Sequence, residues 1–340
     1  MPEIRIDPLS GHRTIVAGER SKRPGGEPRC EPAEEIDVER DPFAEGHEAW
    51  TPPEVYALRA DGGAADSPGW SVRVVPNLFP ALTPDGRDPA DSGHGGAGFE
   101  PDAKPDLFAA RPAVGAHEVI VNSPQPVSSL AELAREQVCS AVEVWRERMR
   151  AHGEAAYVQL IVNERREGGA SLPHTHAQLY ALDFVPAEVA RERERAGAYT
   201  TRTMGRSLLE DVLAEEIGRG ERVVAVDEEA VLLAPYASRL PLQLMLAPRR
   251  PKPRFEEDTV GAALLHEGLR RLARLLGSSP PLNLWVRTAP RGADPFCWRI
   301  DIAPRLTHLA GLELSTGVSL NIVAPEHAAE LLRKVDVGPS

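Results

Sequence analysis

Residues 163 to 181 read NERREGGASLPHTHAQLYA. His174, His176 and Gln178 alternate with smaller residues, which predicts a β-strand that places the three polar side chains on one face. A turn of small residues comes directly before them. A neutral imidazole can attack phosphorus and carry the product as a phosphoramidate near pH 7. One isolated histidine would more simply be structural, but three such groups on one face favour a site for phosphate chemistry.

The composition restricts the class of protein. The 340 residues include 51 acidic and 39 basic side chains, and the formal net charge of −12 argues against a general nucleic-acid surface. The three cysteines, Cys30, Cys139 and Cys297, are far apart and odd in number, which favours a reducing compartment over a disulfide framework. No stretch is apolar enough to span a bilayer, and the N-terminus lacks a signal-peptide core. We expect a soluble cytoplasmic protein that binds neither nucleic acid nor membrane.

The apolar periodicity predicts one α+β unit that occurs twice, as an antiparallel sheet with helices packed on one side. In the first copy a helix from Leu130 to Met149 starts at a capping box formed by Ser129 and Glu132. In the second copy the helix covers residues 260–276. The strands are expected over residues 71–76, 118–122, 157–163 and 174–182, and over residues 221–226, 230–235, 242–248, 283–288 and 297–303.

The two copies divide the chain into an N-terminal half, residues 1–182, and a C-terminal half, residues 183–340. Where the first half has HTHAQ, the second half has CWRID from Cys297 to Asp301. The strand periodicity is retained there, but the nucleophile is absent. We therefore expect the N-terminal half to carry the chemistry, and the degenerate C-terminal half to support it or to line the pocket.

The segment quoted above also carries a family resemblance. It resembles the active-site segment of the galactose-1-phosphate uridylyltransferases, which belong to the histidine triad superfamily. The resemblance rests on Asn163, Gly169, Ser171, Pro173, His174, His176 and Gln178. Other segments resemble the family in the same order along the chain, over residues 13–24, 50–58, 74–80, 115–121 and 304–316.

The resemblance implies a tandem histidine-triad fold and ping-pong transfer of a nucleoside monophosphate. His176 would attack the α-phosphorus of a nucleotide sugar, expel a sugar 1-phosphate and carry the nucleotide covalently. Gln178 can hydrogen-bond a phosphate oxygen but cannot serve as a general acid, which favours a transferase over a hydrolase. Ser171 and Asn163 would hold the non-bridging oxygens while charge develops on them.

Further binding residues follow from the resemblance alone. Arg20 and Arg23 lie at the phosphate-contacting positions of the family's N-terminal arm, and guanidinium geometry suits a phosphate. Asn77 falls where the family contacts the nucleotide. Because the arm reaches the partner subunit's site in the family, a homodimer is expected.

The structural zinc site of the family is not retained. Residues 41–44 read DPFA where many members have a CxxC, and Pro126 stands at the position of a later histidine ligand. His174 is the one family ligand left, whereas tetrahedral zinc needs four good donors. The nearby His47 and Glu48 leave an improvised site open. We nevertheless expect no metal cofactor, and we expect His174 to brace its neighbour by hydrogen bonds.

The iron site of some relatives is also lost from the sequence. Arg287, Cys297 and Arg299 stand where its histidines would align, and they do not make a plausible ligand set. We expect Arg287 and Arg299 to pair with Asp301 or Glu192, so that ion pairs replace metal coordination.

Three functions are consistent with the sequence. The first is transfer of a nucleotide, expected to be UMP, between hexose 1-phosphates such as those of glucose and galactose. The second uses inorganic phosphate as acceptor, as in a nucleotide-sugar or dinucleoside-polyphosphate phosphorylase. The third is a non-catalytic nucleotide-binding protein descended from the family. Neither the base nor the sugar can be determined from these residues.

Overall fold

The computed structural model describes residues 1–22, 30–84, 110–293 and 295–338. The described residues form thirteen β-strands and six α-helices, joined by loops and short 3-10 turns. The strands are β1 (Glu3–Ile6), β2 (Arg13–Val16), β3 (Tyr56–Leu58), β4 (Val72–Pro76), β5 (Gly115–Val121), β6 (Tyr157–Glu164), β7 (His176–Leu182), β8 (Val223–Val226), β9 (Ala230–Leu233), β10 (Leu244–Pro248), β11 (Leu282–Arg287), β12 (Arg299–Pro304) and β13 (Ser319–Asn321). The helices are α1 (Arg135–Ala151), α2 (Ala187–Arg202), α3 (Leu208–Arg219), α4 (Ala262–Leu276), α5 (Gly311–Thr316) and α6 (Pro325–Arg333).

Ten strands form one antiparallel sheet in the order β3-β4-β5-β7-β6-β11-β12-β10-β9-β8. From the centre of the sheet outward, the N-terminal half has the order β6, β7, β5, β4, β3, and the C-terminal half has the corresponding order β11, β12, β10, β9, β8. In the sequence, α1 lies between β5 and β6, and α4 lies between β10 and β11. The predicted α+β class with an antiparallel sheet is confirmed. Such symmetry is what a duplicated unit would produce, while the duplication and the division at residue 182 stay predictions.

One face of the sheet packs against α1 and α4. Val138, Val142, Trp145 and Met149 recur at helical spacing on α1 and are fully buried against the sheet. The Trp145 indole N–H donates to the Asn122 side-chain oxygen over 3.0 Å, so its one polar atom is satisfied inside the core. This packing fixes the central strands, and with them the opposite face that carries the predicted site.

The two predicted helices, α1 and α4, lie on one side of the sheet, whereas α2 and α3, which were not predicted, pack on the other side. Leu209 and Leu213 of α3 pack on Val231 and Met245, which face away from α4. Ser207 caps α3 by accepting from the Glu210 backbone N–H, and a glycine in the left-handed conformation ends the helix. The α2–α3 pair therefore covers the C-terminal half of the site-side face and leaves the N-terminal half to other elements.

The predicted capping box was also wrong in detail. Ser129 does cap a turn, but the turn is a short 3-10 helix (Leu130–Glu132), and α1 begins only at Arg135. The Glu132 carboxylate accepts from the Ser128 hydroxyl instead of from the cap, and the Ser129 hydroxyl donates to the buried Glu164. The Glu132 side chain is therefore not the one that completes a capping box with Ser129.

The N-terminal strands pack on the C-terminal half. β2 pairs with β1 and, in parallel, with β13, so a three-stranded sheet joins both ends of the described chain. Arg5 reinforces the join through two hydrogen bonds to the Glu326 carboxylate on α6. All three cysteines are free thiols. Within the described ranges, no helix is both long enough and apolar enough to cross a membrane.

Candidate active site

The predicted nucleophile lies at the start of a central strand. β7 begins at His176 and not at His174, as the alternation had suggested, and it pairs with β5 and β6 on its two sides. Gln178 lies opposite Val119 and Ile161, and His176 lies opposite Val121. His176 and Gln178 therefore share one face of the sheet, opposite the face that α1 covers, while His174 lies just before the strand.

The His176 ring is held as a neutral base. Its Nδ1 lies 2.8 Å from the His174 carbonyl oxygen; because a carbonyl can only accept, Nδ1 carries the proton and Nε2 the lone pair. Burial lowers the pKa of His176, which keeps the ring unprotonated near neutral pH. Phe43 contacts the ring edge-on at 5.2 Å between centroids. No hydrogen bond engages Nε2 among the residues that the structure describes.

Hydrogen bonds on both sides of the ring hold His174 in place. The side chain is fully buried, with Nδ1 2.6 Å from the Asp41 carboxylate and Nε2 2.8 Å from the Ser123 carbonyl oxygen. The Asp41 carboxylate and the Ser123 carbonyl hold the ring from both sides, so that His174 and Asp41 form a buried hydrogen-bonded pair. Asp41 also accepts from the Phe43 backbone N–H. The pair holds in place the carbonyl that orients His176.

The side chains that could have improvised a zinc site are otherwise engaged. Nδ1 of His47 donates to the Asp41 carbonyl, and the His47 ring stacks on Trp50 at 4.0 Å. Glu48 accepts from the Trp70 indole N–H over 2.8 Å. In the described part of the chain, no three or more His, Cys, Asp or Glu side chains come together as a metal-binding group.

The ion pairs expected at the family's second metal position are present. Arg299 makes two parallel hydrogen bonds of 2.9 Å to Glu192 and a third of 2.9 Å to Asp301. Arg287 lies 3.5 Å from Glu192. Burial alone would raise the pKa of Glu192, but the two guanidinium groups bring it below its ordinary value. The cluster joins α2 to β11 and β12.

Gln178 belongs to a hydrogen-bonded group that the sequence did not reveal. Its Oε1 accepts from the Tyr180 hydroxyl at 2.9 Å and lies 3.0 Å from Nε2 of His117. The His117 ring stacks on Tyr180, with 4.1 Å between centroids. Asn77, the predicted nucleotide contact, lies beside them, because its backbone N–H donates to the His117 carbonyl. The structure thus brings Asn77 and Gln178 together through His117.

Asn163 is oriented by the C-terminal half. It lies on the site-side face of β6, one residue beyond the pair formed by Val162 and Ala177. Its Oδ1 accepts from Nδ2 of Asn283 at 2.8 Å, and the same nitrogen donates to the Gly168 carbonyl at 2.6 Å. Since Oδ1 is engaged, the Asn163 amide nitrogen is the end left to donate. Asn283 is a supporting residue that sequence reasoning missed.

The loop between β6 and β7 is held in a strained shape. Arg165 has φ 64° and ψ 163°, a conformation that only glycine adopts readily. Its guanidinium group donates to the carbonyls of Glu31 and Ser279, which anchors the loop. A Cβ on Gly168 would lie 2.7 Å from the Leu282 carbonyl oxygen, so glycine is required for this close approach.

Ser171 is exposed at the end of this loop. It lines a cavity of about 450 Å³ whose charged side chains are the two arginines Arg165 and Arg166 and the two glutamates Glu34 and Glu167. Neither His176 nor Gln178 lines this cavity. The structure therefore places Ser171 on the loop that leads into the site but shows no contact between Ser171 and His176.

The N-terminal part of the chain matches a known family. The family model for the N-terminal domain of galactose-1-phosphate uridyl transferase matches residues 1–186, more than half of the chain. The chain belongs to this family. A second model, described as a domain of unknown function, matches residues 128–335. The family is one of nucleotidyltransferases, and the resemblance carried by the sequence is confirmed.

Relatives with two different activities match almost the whole chain. ADP-glucose phosphorylase from Arabidopsis thaliana is 26% identical over 99% of this chain and 93% of its own. Galactose-1-phosphate uridylyltransferase from Rattus norvegicus is 28% identical over 85% of this chain and 73% of its own. The crystal structure of the Arabidopsis phosphorylase with bound ADP-glucose has a TM-score of 0.78, at 25% identity, over 99% of this chain and 100% of that one.

Of the two arginines predicted on the N-terminal arm, the structure describes only Arg20. Arg20 is exposed in a 3-10 helix (Gly18–Lys22) directly after β2. No hydrogen bond or ion pair found between described residues joins it to the other predicted site residues. Arg23 lies outside the described residues. The phosphate-binding roles of both stay predictions.

Proposed function

We propose that this chain is a nucleotidyltransferase that carries a nucleoside monophosphate on Nε2 of His176. The observation that supports this most is the hydrogen bond from Nδ1 of His176 to the His174 carbonyl, which leaves Nε2 as the basic nitrogen. Burial keeps the ring neutral, and neutral imidazole is the nucleophilic form. Membership of a nucleotidyltransferase family agrees with this chemistry.

The reaction then proceeds in two displacements. The Nε2 lone pair attacks the α-phosphorus of a nucleotide sugar, the bond from this phosphorus to the bridging oxygen breaks, and sugar 1-phosphate leaves with the electron pair. The ring gains positive charge, which its Nδ1–H shares with the His174 carbonyl. A phosphate oxygen of the acceptor attacks the same phosphorus in the second step and restores neutral His176. Amide N–H groups of Gln178 and Asn163 would stabilise the charged phosphorus centre.

The acceptor distinguishes two versions of this function. The sequence favoured a hexose 1-phosphate and UMP, as in galactose-1-phosphate uridylyltransferases. The likeness to ADP-glucose phosphorylase over nearly the full length of both chains favours AMP and orthophosphate. Both versions need the same histidine, because only the second displacement differs.

Product analysis with two donors and two acceptors separates the versions. ADP-glucose or UDP-glucose is incubated with either orthophosphate or galactose 1-phosphate, and the products are resolved by chromatography. Release of ADP or UDP with orthophosphate identifies a phosphorylase, whereas a nucleotide galactose identifies a uridylyltransferase-like enzyme. In either case labelled glucose 1-phosphate should exchange into the donor without any acceptor, which a ping-pong mechanism requires. No product and no exchange would favour a non-catalytic nucleotide-binding protein.

A homodimer in a reducing cytoplasm is part of the proposal. The family's arm corresponds to residues 13–24, and Arg20 is exposed and not joined to the described site of its own chain, which fits a role at a partner's site. Mixed dimers of Arg20→Ala and His176→Ala chains test this. Partial recovery of activity on mixing is expected, because one site then has both residues. No recovery from a mixture shown to contain mixed dimers would contradict it.

We also propose that the site works without zinc or iron. Both nitrogens of His174 are engaged by Asp41 and Ser123, and guanidinium groups occupy the second position. Elemental analysis of the purified protein should therefore find less than stoichiometric metal. Zinc at one equivalent, with activity lost on chelation, would contradict this.

A further inference from the structure

Two donors converge on one oxygen of Gln178. Oε1 accepts from the Tyr180 hydroxyl at 2.9 Å and from Nε2 of His117 at 3.0 Å. An amide oxygen has two lone pairs and an amide nitrogen has none to offer. Since both lone pairs are engaged, the oxygen has no capacity left for another donor. The amide NH₂ of Gln178 is then the end that can meet a phosphate.

The donor role of His117 follows from its other nitrogen. The Ala81 backbone N–H points at Nδ1 over 3.1 Å, so Nδ1 accepts and the proton of the neutral ring is on Nε2. Burial lowers the pKa of His117, which keeps the ring in this neutral form. Stacking on Tyr180 at 4.1 Å, with the planes 24° apart, restricts rotation of the ring. The structure thereby fixes both the tautomer and the direction of the N–H.

His117 also fastens the loop that carries the predicted nucleotide contact. The Asn77 backbone N–H donates to the His117 carbonyl at 2.9 Å, and Ala81 binds the ring from the other end of the loop. Within the loop, Asn77 Oδ1 accepts from the Phe79 backbone N–H. Nδ2 of Asn77 lies 3.1 Å from Nε2, but both are donors in this tautomer, so this contact is not a hydrogen bond. One residue thus holds both loop 77–81 and Gln178.

We propose that His117 is a positioning residue that turns the Gln178 amide nitrogen toward the α-phosphate. This inference rests on the proposed function, because the phosphate contact of Gln178 belongs to that function. Without the His117 donor the amide can rotate and present its oxygen to an anionic phosphate. The α-phosphate would then lose one charge-assisted hydrogen bond in the step that forms the covalent intermediate.

The test measures how fast the nucleotidyl-enzyme forms in a single turnover. His117→Phe removes both nitrogens and keeps an aromatic ring against Tyr180. It is compared with Gln178→Ala, with the double variant, and with His327→Phe, a matched change at an exposed residue of α6. ADP-glucose and UDP-glucose serve as donors, and rapid quench at varied donor concentration separates the rate constant from the apparent dissociation constant.

We expect His117→Phe to lower the rate constant by about 10- to 100-fold, the range of one charge-assisted hydrogen bond, with a smaller change in donor affinity. The double variant should be no slower than Gln178→Ala, because both changes remove the same contact. His327→Phe should match the wild type. Wild-type rates for His117→Phe, or losses that multiply in the double variant, would overturn the proposal.

A second measurement does not depend on activity. Ring nitrogen shifts of ¹⁵N-histidine-labelled wild-type protein report the tautomer of each histidine, and His117 is identified by its contact with Tyr180. A proton on Nε2 is expected, and a proton on Nδ1 would overturn the proposal even if the folded variant cannot be made. If no donor labels the wild type, the proposed function fails, and the tautomer still decides whether His117 can hold the Gln178 amide.

Discussion

Glu164, the residue after Asn163, should make the stability of the protein depend on pH in an unusual direction. Its carboxyl is 1% exposed and accepts from the Ser129 hydroxyl and the Leu130 backbone N–H, each at 2.7 Å. Burial raises its pKa from 4.5 to about 7, although the two hydrogen bonds act to lower it. The described residues place no cation against it.

The sign of the effect follows from this raised pKa. The folded state binds the Glu164 proton more tightly than the unfolded state does, so stability is lost as pH rises from about 4.5 toward 7. The full difference corresponds to about 3 kcal/mol of unfolding free energy. Between pH 5 and pH 8, the titration of Glu164 alone should lower the unfolding free energy by roughly 2.5 kcal/mol.

Urea unfolding of the wild type and Glu164→Gln at pH 5 and pH 8 measures this contribution. Glutamine can accept from Leu130 and donate to Ser129, so the variant keeps the local hydrogen bonds without the charge. From pH 5 to pH 8, the unfolding free energy of the variant should rise by about 2 to 3 kcal/mol relative to that of the wild type. Glu167→Gln, an exposed change on the same loop, should show no such gain. A difference between wild type and Glu164→Gln that stays constant with pH would refute the reasoning.

Three further predictions concern the elements that support the site. Glu192→Gln should lower the unfolding free energy by about 3–5 kcal/mol in denaturant titrations, because it leaves the buried Arg299 without its main partner; a loss below 1 kcal/mol would contradict this. Gly168→Ala should displace the β6–β7 loop and lower both stability and activity, because the added Cβ meets a backbone oxygen at 2.7 Å. The control Gly218→Ala, in open space on α3, should instead stabilise the protein by up to about 1 kcal/mol in thermal unfolding. Asn283→Ala should slow turnover by about tenfold while the protein stays folded by circular dichroism, because it frees the Asn163 amide; unchanged turnover would exclude that role.

The local part of the site was predictable because alternation is a local property. His176 and Gln178 share a face in the sequence pattern and in the structure. His117 and Asn283 could not be paired with them in advance, since both come from other strands and their register depends on the assembled sheet. The sequence offered one hint, because His117 lies within segment 115–121, which resembles the family.

Helix α2 escaped prediction for a different reason. Val189 is the one buried apolar residue on α2, and much of the exposed surface there is charged, so a helical apolar stripe is weak. The ion pair from Glu192 to Arg299 positions α2 across the sheet, and such long-range pairs leave no local pattern. The start of α1 was misplaced because Ser129 caps a separate 3-10 turn (Leu130–Glu132) that precedes the helix.

The identity of the residue that carries the nucleotide tests the account most directly. The protein is incubated with ADP-glucose or UDP-glucose, weighed intact by mass spectrometry, and then digested under conditions that preserve phosphoramidates. We predict an adenylyl or uridylyl mass gain that is stable in base, labile in acid, mapped to His176 and absent from His176→Ala. An adduct on another residue, or one that persists in His176→Ala, would contradict the account, as would steady turnover with no adduct at any time.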